Sequence, residues 1–285
     1  MVMKIRRTGS RIKLCISCLV ALACVVGLGF SGYKIIEWLI DSNNTKEQTV
    51  AIEEAGDVTE VDDDEKTEVI KQTEEARTGM YWQYLKTKLI DVDFTALKKQ
   101  NSDTVGWVQV GGTNINYPFV QTTNNDYYLK HSFDKKYNQA GWVFADFRNK
   151  LDGSDRNLIL YAHARLDGTM FGSLRNALSN GWVNNPDNFI IRTSSEHENA
   201  LWQVFSAYLI PTTSDYIQTS FMSDAEFGKF VQKLIKRSSH NFHTTVNASD
   251  HILTLSTCHN EDRRMVLHAK LIKRSVKEPA ETTEE

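Results

Sequence analysis

Hydrophobic positions change their spacing three times along this chain. From Leu14 to Tyr33 no charge interrupts the sequence, and twenty residues rising about 1.5 Å each span about 30 Å, the depth of a bilayer core. The pattern predicts a membrane helix over 14–36. Apolar residues then thin out, aromatics disappear, and residues 47 to 75 hold twelve acidic against two basic side chains. Such a composition predicts a disordered stretch over 41 to about 67, within an acidic tether covering 37–78. Between Glu68 and Asp91, Val69, Ile70, Tyr81, Trp82, Leu85 and Leu89 permit a helix in part, with Thr78-Gly79 interrupting it. Asp93 is placed to cap a short helix through Leu97.

Beyond Val105 the texture turns to short apolar runs. Val105–Val110 and Ile115–Val120 flank Gly111-Gly112, which reads as a hairpin. Further runs are Gly141–Ala145, Asn157–Tyr161, Asn188–Arg192, Leu201–Ile210, His251–Cys258 and Arg264–Ile272. Eight strand-like runs without βαβ alternation favour a barrel or sandwich over a doubly wound sheet. One amphipathic helix stands out. Ser223-Asp224-Ala225-Glu226 has the pattern of a capping box, and Phe227, Phe230, Val231, Leu234 and Ile235 follow at helical spacing. Lys233, Lys236 and Arg237 suit the negative end of its dipole. This helix is expected to pack the core and to carry no chemistry.

Charge adds direction to this outline. The first thirteen residues hold Lys4, Arg6, Arg7, Arg11 and Lys13 and no acid, which keeps a helix's leading end in the cytoplasm and sends the remainder outside. The apolar run is too long for a cleaved signal peptide, and Ala21-Leu22-Ala23-Cys24 is a poor lipobox. The expected order is a cytoplasmic N-terminus (1–13), a transmembrane helix (14–36), an extracellular tether (37–78), a catalytic domain (79–275) and a disordered tail (276–285). From Met80 to Ser275 the chain has 22 Lys+Arg and 18 Asp+Glu scattered along it, a solvated surface with nothing that argues for nucleic acid.

The candidate chemistry centres on Cys258. It is the only cysteine outside the apolar N-terminal segment, where Cys15, Cys18 and Cys24 lie. A lone thiol closing a strand in an exported domain has no disulfide partner and suggests a nucleophile. A thiolate needs a base or cation nearby. Among eight histidines, His163 ends an apolar strand between the small residues Ala162 and Ala164 and precedes the turn Asp167-Gly168, where a side chain can project into a cleft. His259, adjacent to the cysteine, alternates to the opposite face. A hairpin after Cys258 would return Arg263-Arg264 beside the thiol, where an arginine can donate to an oxyanion. A single cysteine without paired spacing is poor zinc chemistry.

These residues also carry a family resemblance. Thr254-Leu255-Ser256-Thr257-Cys258, followed by Arg264-Met265-Val266-Leu267-His268-Ala269-Lys270-Leu271, resembles the cysteine/arginine signature of sortases. Asn157-Leu158-Ile159-Leu160-Tyr161-Ala162-His163 with Gly168-Thr169-Met170-Phe171-Gly172 is similar to the histidine segment of class B sortases, although Ala162 stands where that family usually has glycine. Val105-Gly106-Trp107, Ile115-Asn116-Tyr117-Pro118 and Asn125-Asp126-Tyr127-Tyr128-Leu129 fit the same class, so the resemblance covers about Leu89 to Lys273. It implies an eight-stranded β-barrel with peripheral helices and a membrane-anchored transpeptidase of a Gram-positive surface, without cofactor or metal. By matching positions it implies Cys258 as nucleophile, His163 as acid/base and Arg264, in preference to Arg263, as oxyanion donor. Asn125, Leu129, Thr212, Tyr216, Ile217, Ser256 and Thr257 match positions that line the groove for a sorting signal.

The expected partners are surface proteins bearing an LPxTG-like or NPxTN-like signal and a lipid-linked peptidoglycan precursor that supplies the accepting amine. Two related activities compete: pilin polymerisation onto a lysine, and simple hydrolysis by a cysteine endopeptidase. A papain-like arrangement fits poorly because there the cysteine precedes the histidine. A non-catalytic β-domain would instead bury Cys258 as a small hydrophobe. Carbonate-washed membranes are expected to retain the full-length chain; its release intact would rule out the anchor.

Overall fold

The computed structural model describes residues 5–72, 79–260 and 263–277, with side chains for all of these except 5–12, 79 and 258–260. The chain divides into two compact units, Met1–Asn44 and Thr45–Glu285. The described residues of the first, 5–44, lie within helix α1, Ile5–Gly56. The stretch Lys13–Gly56 is long and apolar enough to cross a membrane and none of its apolar window is buried, so it is a candidate membrane anchor.

The second unit begins earlier than the sequence pattern suggests. Instead of disorder over 41–67, α1 continues to Gly56, and two short strands follow, β1 (Thr59–Val61) and β2 (Thr67–Val69). Thr45 and Ile52 are buried, and Gly56 lies so close to Trp107 that a Cβ there would come within 2.6 Å of the indole. The acids that argued for disorder meet bases from distant parts of the chain: Glu60 pairs with Arg192, Asp62 with Lys88, Asp63 with Lys273 and Glu68 with Arg274. A charge-rich segment without enough apolar surface to fold alone can still order when a folded neighbour supplies partners. After β2, helix α2 (Gly79–Tyr84), strand β3 (Leu89–Asp91) and helix α3 (Thr95–Gln100) lead into the barrel. The cap position of α3 is Phe94 and not the expected Asp93; Asp93, one residue earlier, accepts the backbone N–H of Thr95 at 2.8 Å. Thr78, expected to interrupt a helix here, and the tail from residue 278 lie outside the described residues.

Eight strands follow, one for each run read from the sequence: β4 (Thr104–Val110), β5 (Asn116–Val120), β6 (Phe144–Ala145), β7 (Asn157–His163), β8 (Ile190–Ser195), β9 (Glu198–Pro211), β10 (Ile252–Asn260) and β11 (Arg263–Val276). Their neighbour order is β10-β7-β6-β5-β4-β8-β9-β11, and β10 pairs again with β11, which closes an eight-stranded barrel. β2 adds to the outside of β11. Two contacts in the wall, β7 with β10 and β5 with β6, are parallel, so long connections must join these neighbours. Met265, Leu267, Ala269 and Leu271 of β11 join Leu253 and Leu255 of β10 in the main core. Gly106 is required by close approach, since a Cβ there would sit 2.2 Å from the Phe119 ring.

Two helices cover the barrel. α4 (Asn180–Val183) packs Trp182 against Phe189 and Phe242. α5 (Asp224–Arg237) buries Phe227, Phe230, Val231 and Leu234 in a second cluster with Phe205, Tyr208, Ile252 and Val266. Its cap differs from the predicted box in one half. Ser223 accepts from Glu226 N as expected, but the Glu226 carboxylate reaches Met222 N rather than the cap residue's own amide.

Polar residues on the outer face of β10 and β11 are buried beneath this layer and fully paired. Thr254 Oγ1 donates to Asn157 Oδ1 at 2.7 Å, so it accepts from His268 Nδ1 at 2.9 Å. His268 Nε2 is then the acceptor for the Tyr208 hydroxyl at 2.8 Å. One donor and one acceptor is the inventory of a neutral imidazole. Burial, with Arg237 adding to it, pushes the His268 pKa down to about 3 from 6.5. Below pH 6.5 the unfolded chain therefore binds a proton that the folded chain refuses until about pH 3, and stability falls as pH falls through that window. The slope due to this residue is at most about 1.4 kcal/mol per pH unit. Unfolding of wild type and His268→Gln, compared from pH 7 to 3, is expected to show this difference shrinking as the medium acidifies; a constant difference would refute the buried neutral imidazole.

Candidate active site

Three strands meet at the seam where the barrel closes. β10 runs parallel to β7 over seven consecutive pairs, from Ile252 opposite Asn157 to Cys258 opposite His163. On its other side β10 runs antiparallel to β11, and there Cys258 stands opposite Arg264. Residues 163, 258 and 264 thus stand abreast across adjacent strands, which in a sheet lie about 4.8 Å apart. The side chain of Cys258 lies outside the described residues; its backbone register is what fixes its place. The register shifts just beyond Cys258, so that Asn260 opposes Arg263. Ser256, two residues before the cysteine, shares a 2.9 Å hydrogen bond with the Tyr216 hydroxyl. The strand leading to the cysteine is therefore tied on both edges and along its outer face.

His163 is half-buried at the end of β7. Its Nε2–H donates to the carbonyl of Leu129 at 2.8 Å, which leaves Nδ1 as the nitrogen that can exchange a proton. Burial holds its pKa below the ordinary value. The hydrogen bond to Leu129 works against that, and the positive charges of Arg165 and Arg264 reinforce it. Ala162, where the resemblance leads one to expect glycine, is buried in the main core.

Arg264 borders a cavity of about 500 Å³ that opens on this seam. Every residue read from the sequence as groove-lining is on its wall: Asn125, Leu129, Thr212, Tyr216, Ile217, Ser256 and Thr257. Leu129 comes from the short 3-10 turn Tyr127–Leu129, and Thr212, Tyr216 and Ile217 from the connection between β9 and α5. Phe144, Tyr161 and Ala162 complete the apolar side. Sequence reading passed over them because each sits in an ordinary apolar run. A second cavity, about 650 Å³, lies beside Tyr84, Gln109 and Arg192. It is larger but is not lined by Arg264, so size alone does not mark the site. Among the described residues no cluster of three or more His, Cys, Asp or Glu is arranged to hold a metal ion.

A family model for the sortase domain matches residues 108–272. The chain belongs to the sortase family, in its class B. The sortase B of Staphylococcus aureus is 36% identical over 184 residues, covering 63% of this chain and 75% of that protein. The sortase B of Listeria monocytogenes is 34% identical over 184 residues, covering 62% and 72%. Among solved structures, sortase B from Bacillus anthracis in complex with AAEK1 superposes with a TM-score of 0.66 at 32% identity, over 82% of this chain and 99% of that one. A Staphylococcus aureus sortase B–substrate complex gives 0.59 at 36% identity, over 63% and 84%. The sortase is accordingly a cysteine transpeptidase acting on peptide bonds, and its eight-stranded barrel with peripheral helices is the sortase fold.

Proposed function

We propose that this sortase cleaves a C-terminal sorting signal, LPxTG-like or NPxTN-like, and joins the new acyl end to an amine of a peptidoglycan precursor. The observation that carries the proposal is the register placing Cys258 between His163 and Arg264 at the rim of a cavity walled by the predicted groove residues. The Cys258 thiolate attacks the threonine carbonyl carbon, forming a C–S bond and an oxyanion that Arg264 steadies. The oxyanion collapses, the C–N bond breaks, and His163 delivers a proton from Nδ1 to the departing amine. The thioester that remains is attacked by the incoming amine, whose proton His163 takes, and the thiolate leaves. Two easier steps replace one difficult one.

The cavity suits a peptide of this kind. Leu129, Phe144 and Ile217 offer apolar contact, while hydroxyls of Thr212, Tyr216 and Ser256 and the Asn125 amide offer polar contact. The relative solved with a substrate supports a peptide partner for this fold. The candidate anchor and the basic residues at its leading end support a cytoplasmic N-terminus and an external catalytic unit, where secreted proteins and lipid-linked wall precursors are both found.

Mass spectrometry of the enzyme incubated with a sorting peptide is expected to show an acyl adduct for wild type and none for Cys258→Ala. An adduct on the variant would overturn the assignment. Arg264→Ala is expected to lower kcat by about 10²- to 10³-fold, whereas Arg263→Ala stays near wild type; the reverse order would move the oxyanion role to Arg263. Added amine is expected to shift the product from free acid to amide, and a product insensitive to amine would mean hydrolysis.

A further inference from the structure

A buried carboxylate paired with an exposed guanidinium stands behind the cleft, and none of the chemistry proposed above uses this pair. Asp146 follows β6 directly, and its side chain is fully buried. Its Oδ2 accepts from Asn125 Nδ2 (3.1 Å), from the Tyr161 hydroxyl (2.8 Å) and from Arg148 Nη2 (2.7 Å). Its Oδ1 accepts from Arg148 Nε (2.8 Å) and from the Arg148 backbone N–H (3.0 Å). The same Arg148 Nη2 also donates to the carbonyl of Ile217 at 2.9 Å. Phe147 N donates to Asn125 Oδ1 at 3.0 Å, which fixes the orientation of that amide. Asn125, Tyr161 and Ile217 line the cleft; Asp146 and Arg148 do not.

The three cleft residues come from stretches that do not pair with one another in the sheet: the loop before the 3-10 turn, strand β7, and the connection ahead of α5. A carboxylate buried without water is tolerated only when paired and hydrogen-bonded. Here the compensation comes from one forked guanidinium and from polar groups of the cleft wall itself. Burial alone would raise the Asp146 pKa, but the hydrogen bonds from Arg148 and Tyr161 outweigh it and hold the carboxyl below its usual range. The group is thus an anion that needs all its partners in place.

We infer that Asp146 and Arg148 are positioning residues for sorting-signal recognition, clamping three separate walls of the cleft into one preformed receptor. The inference rests on the reading of the cleft as the signal-binding groove. A wall that is already ordered does not have to be ordered when the peptide arrives, so the clamp acts on affinity. The strands that carry Cys258, His163 and Arg264 are held by their own ladders, so the chemical step should be spared.

The test compares full-length wild type, Arg148→Ala and Arg148→Lys in detergent, with an NPxTN-like and an LPxTG-like peptide as probes. Lysine keeps a positive charge near Asp146 but cannot fork to both carboxylate oxygens while reaching Ile217. Arg148→Ala is expected to raise KM about tenfold with kcat kept within about twofold, and Arg148→Lys to move KM the same way by less. Should the alanine variant fail to fold, the lysine variant carries the comparison. An unchanged KM in a variant, with wild type turning the peptide over, overturns the clamp and leaves the proposed function standing. A fall in kcat at constant KM marks a merely structural role and likewise overturns it. Wild type that processes neither peptide overturns the groove reading itself, and the clamp with it.

Discussion

The ladder between β10 and β7 is the constraint on which the rest depends. It joins segments about a hundred residues apart in parallel, and without it the sheet stays open between β7 and β10. Closing it removes the exposed edges that an open sheet would present and brings residues 163, 258 and 264 abreast. Barrel stability and the alignment of these three residues therefore share one set of backbone hydrogen bonds. Non-local parallel pairing of this kind is slow to form because loop closure precedes any gain from contact. The residues of the seam reflect the requirement for certainty of register. Ile252, Leu253 and Leu255 are apolar, and the alternating polar positions Thr254 and Ser256 each meet a named partner.

Those partners deserve the same weight as the apolar core. Asn157 Oδ1 accepts a hydrogen bond from the Thr254 hydroxyl, and Asn157 Nδ2 donates to the carbonyl of Gln218. Thr254 accepts from His268, His268 accepts from Tyr208, and Tyr216 meets Ser256. A slip of β10 by one residue would take Thr254 and Ser256 from their partners at once and leave Asn157, His268 and Tyr216 each short of one, and unpaired buried polar atoms cost far more than their pairing gains. The network thus discriminates against wrong registers more than it adds to the stability of the right one. Cys258 inherits that certainty, being two residues beyond the last of these contacts on β10.

Much of this was legible in the sequence. All eight barrel strands show as apolar runs because each is buried on at least one face, and α5 shows through its helical spacing and its serine cap. The residues of the cavity wall emerged only through the family resemblance, since Asn125, Thr212 and Ile217 look like ordinary loop residues in isolation. Order around the barrel was not legible, because alternation tells which face is buried but not which strand lies alongside. The docking of residues 45–69 was hidden for a related reason. Val50-Ala51-Ile52, Val61 and Val69-Ile70 are one to three apolar residues at a time in an acidic background, and the bases that receive Glu60, Asp63 and Glu68 lie more than a hundred residues away. Asp146 and Arg148 escaped because a charged pair in a loop ordinarily faces water.

The ion pairs that hold the segment ahead of the barrel are not equivalent. Lys273 is buried and surrounds its ammonium with Asp63 and the carbonyls of Leu85 and Thr87. The acids facing Lys88, Arg192 and Arg274 are open to solvent, and dissolved ions within a Debye length of about 8 Å weaken such contacts. A rise in external ionic strength would therefore peel the margins of β1 and β2 while the bolt at Lys273 holds, so that the attachment loosens by degrees instead of letting go.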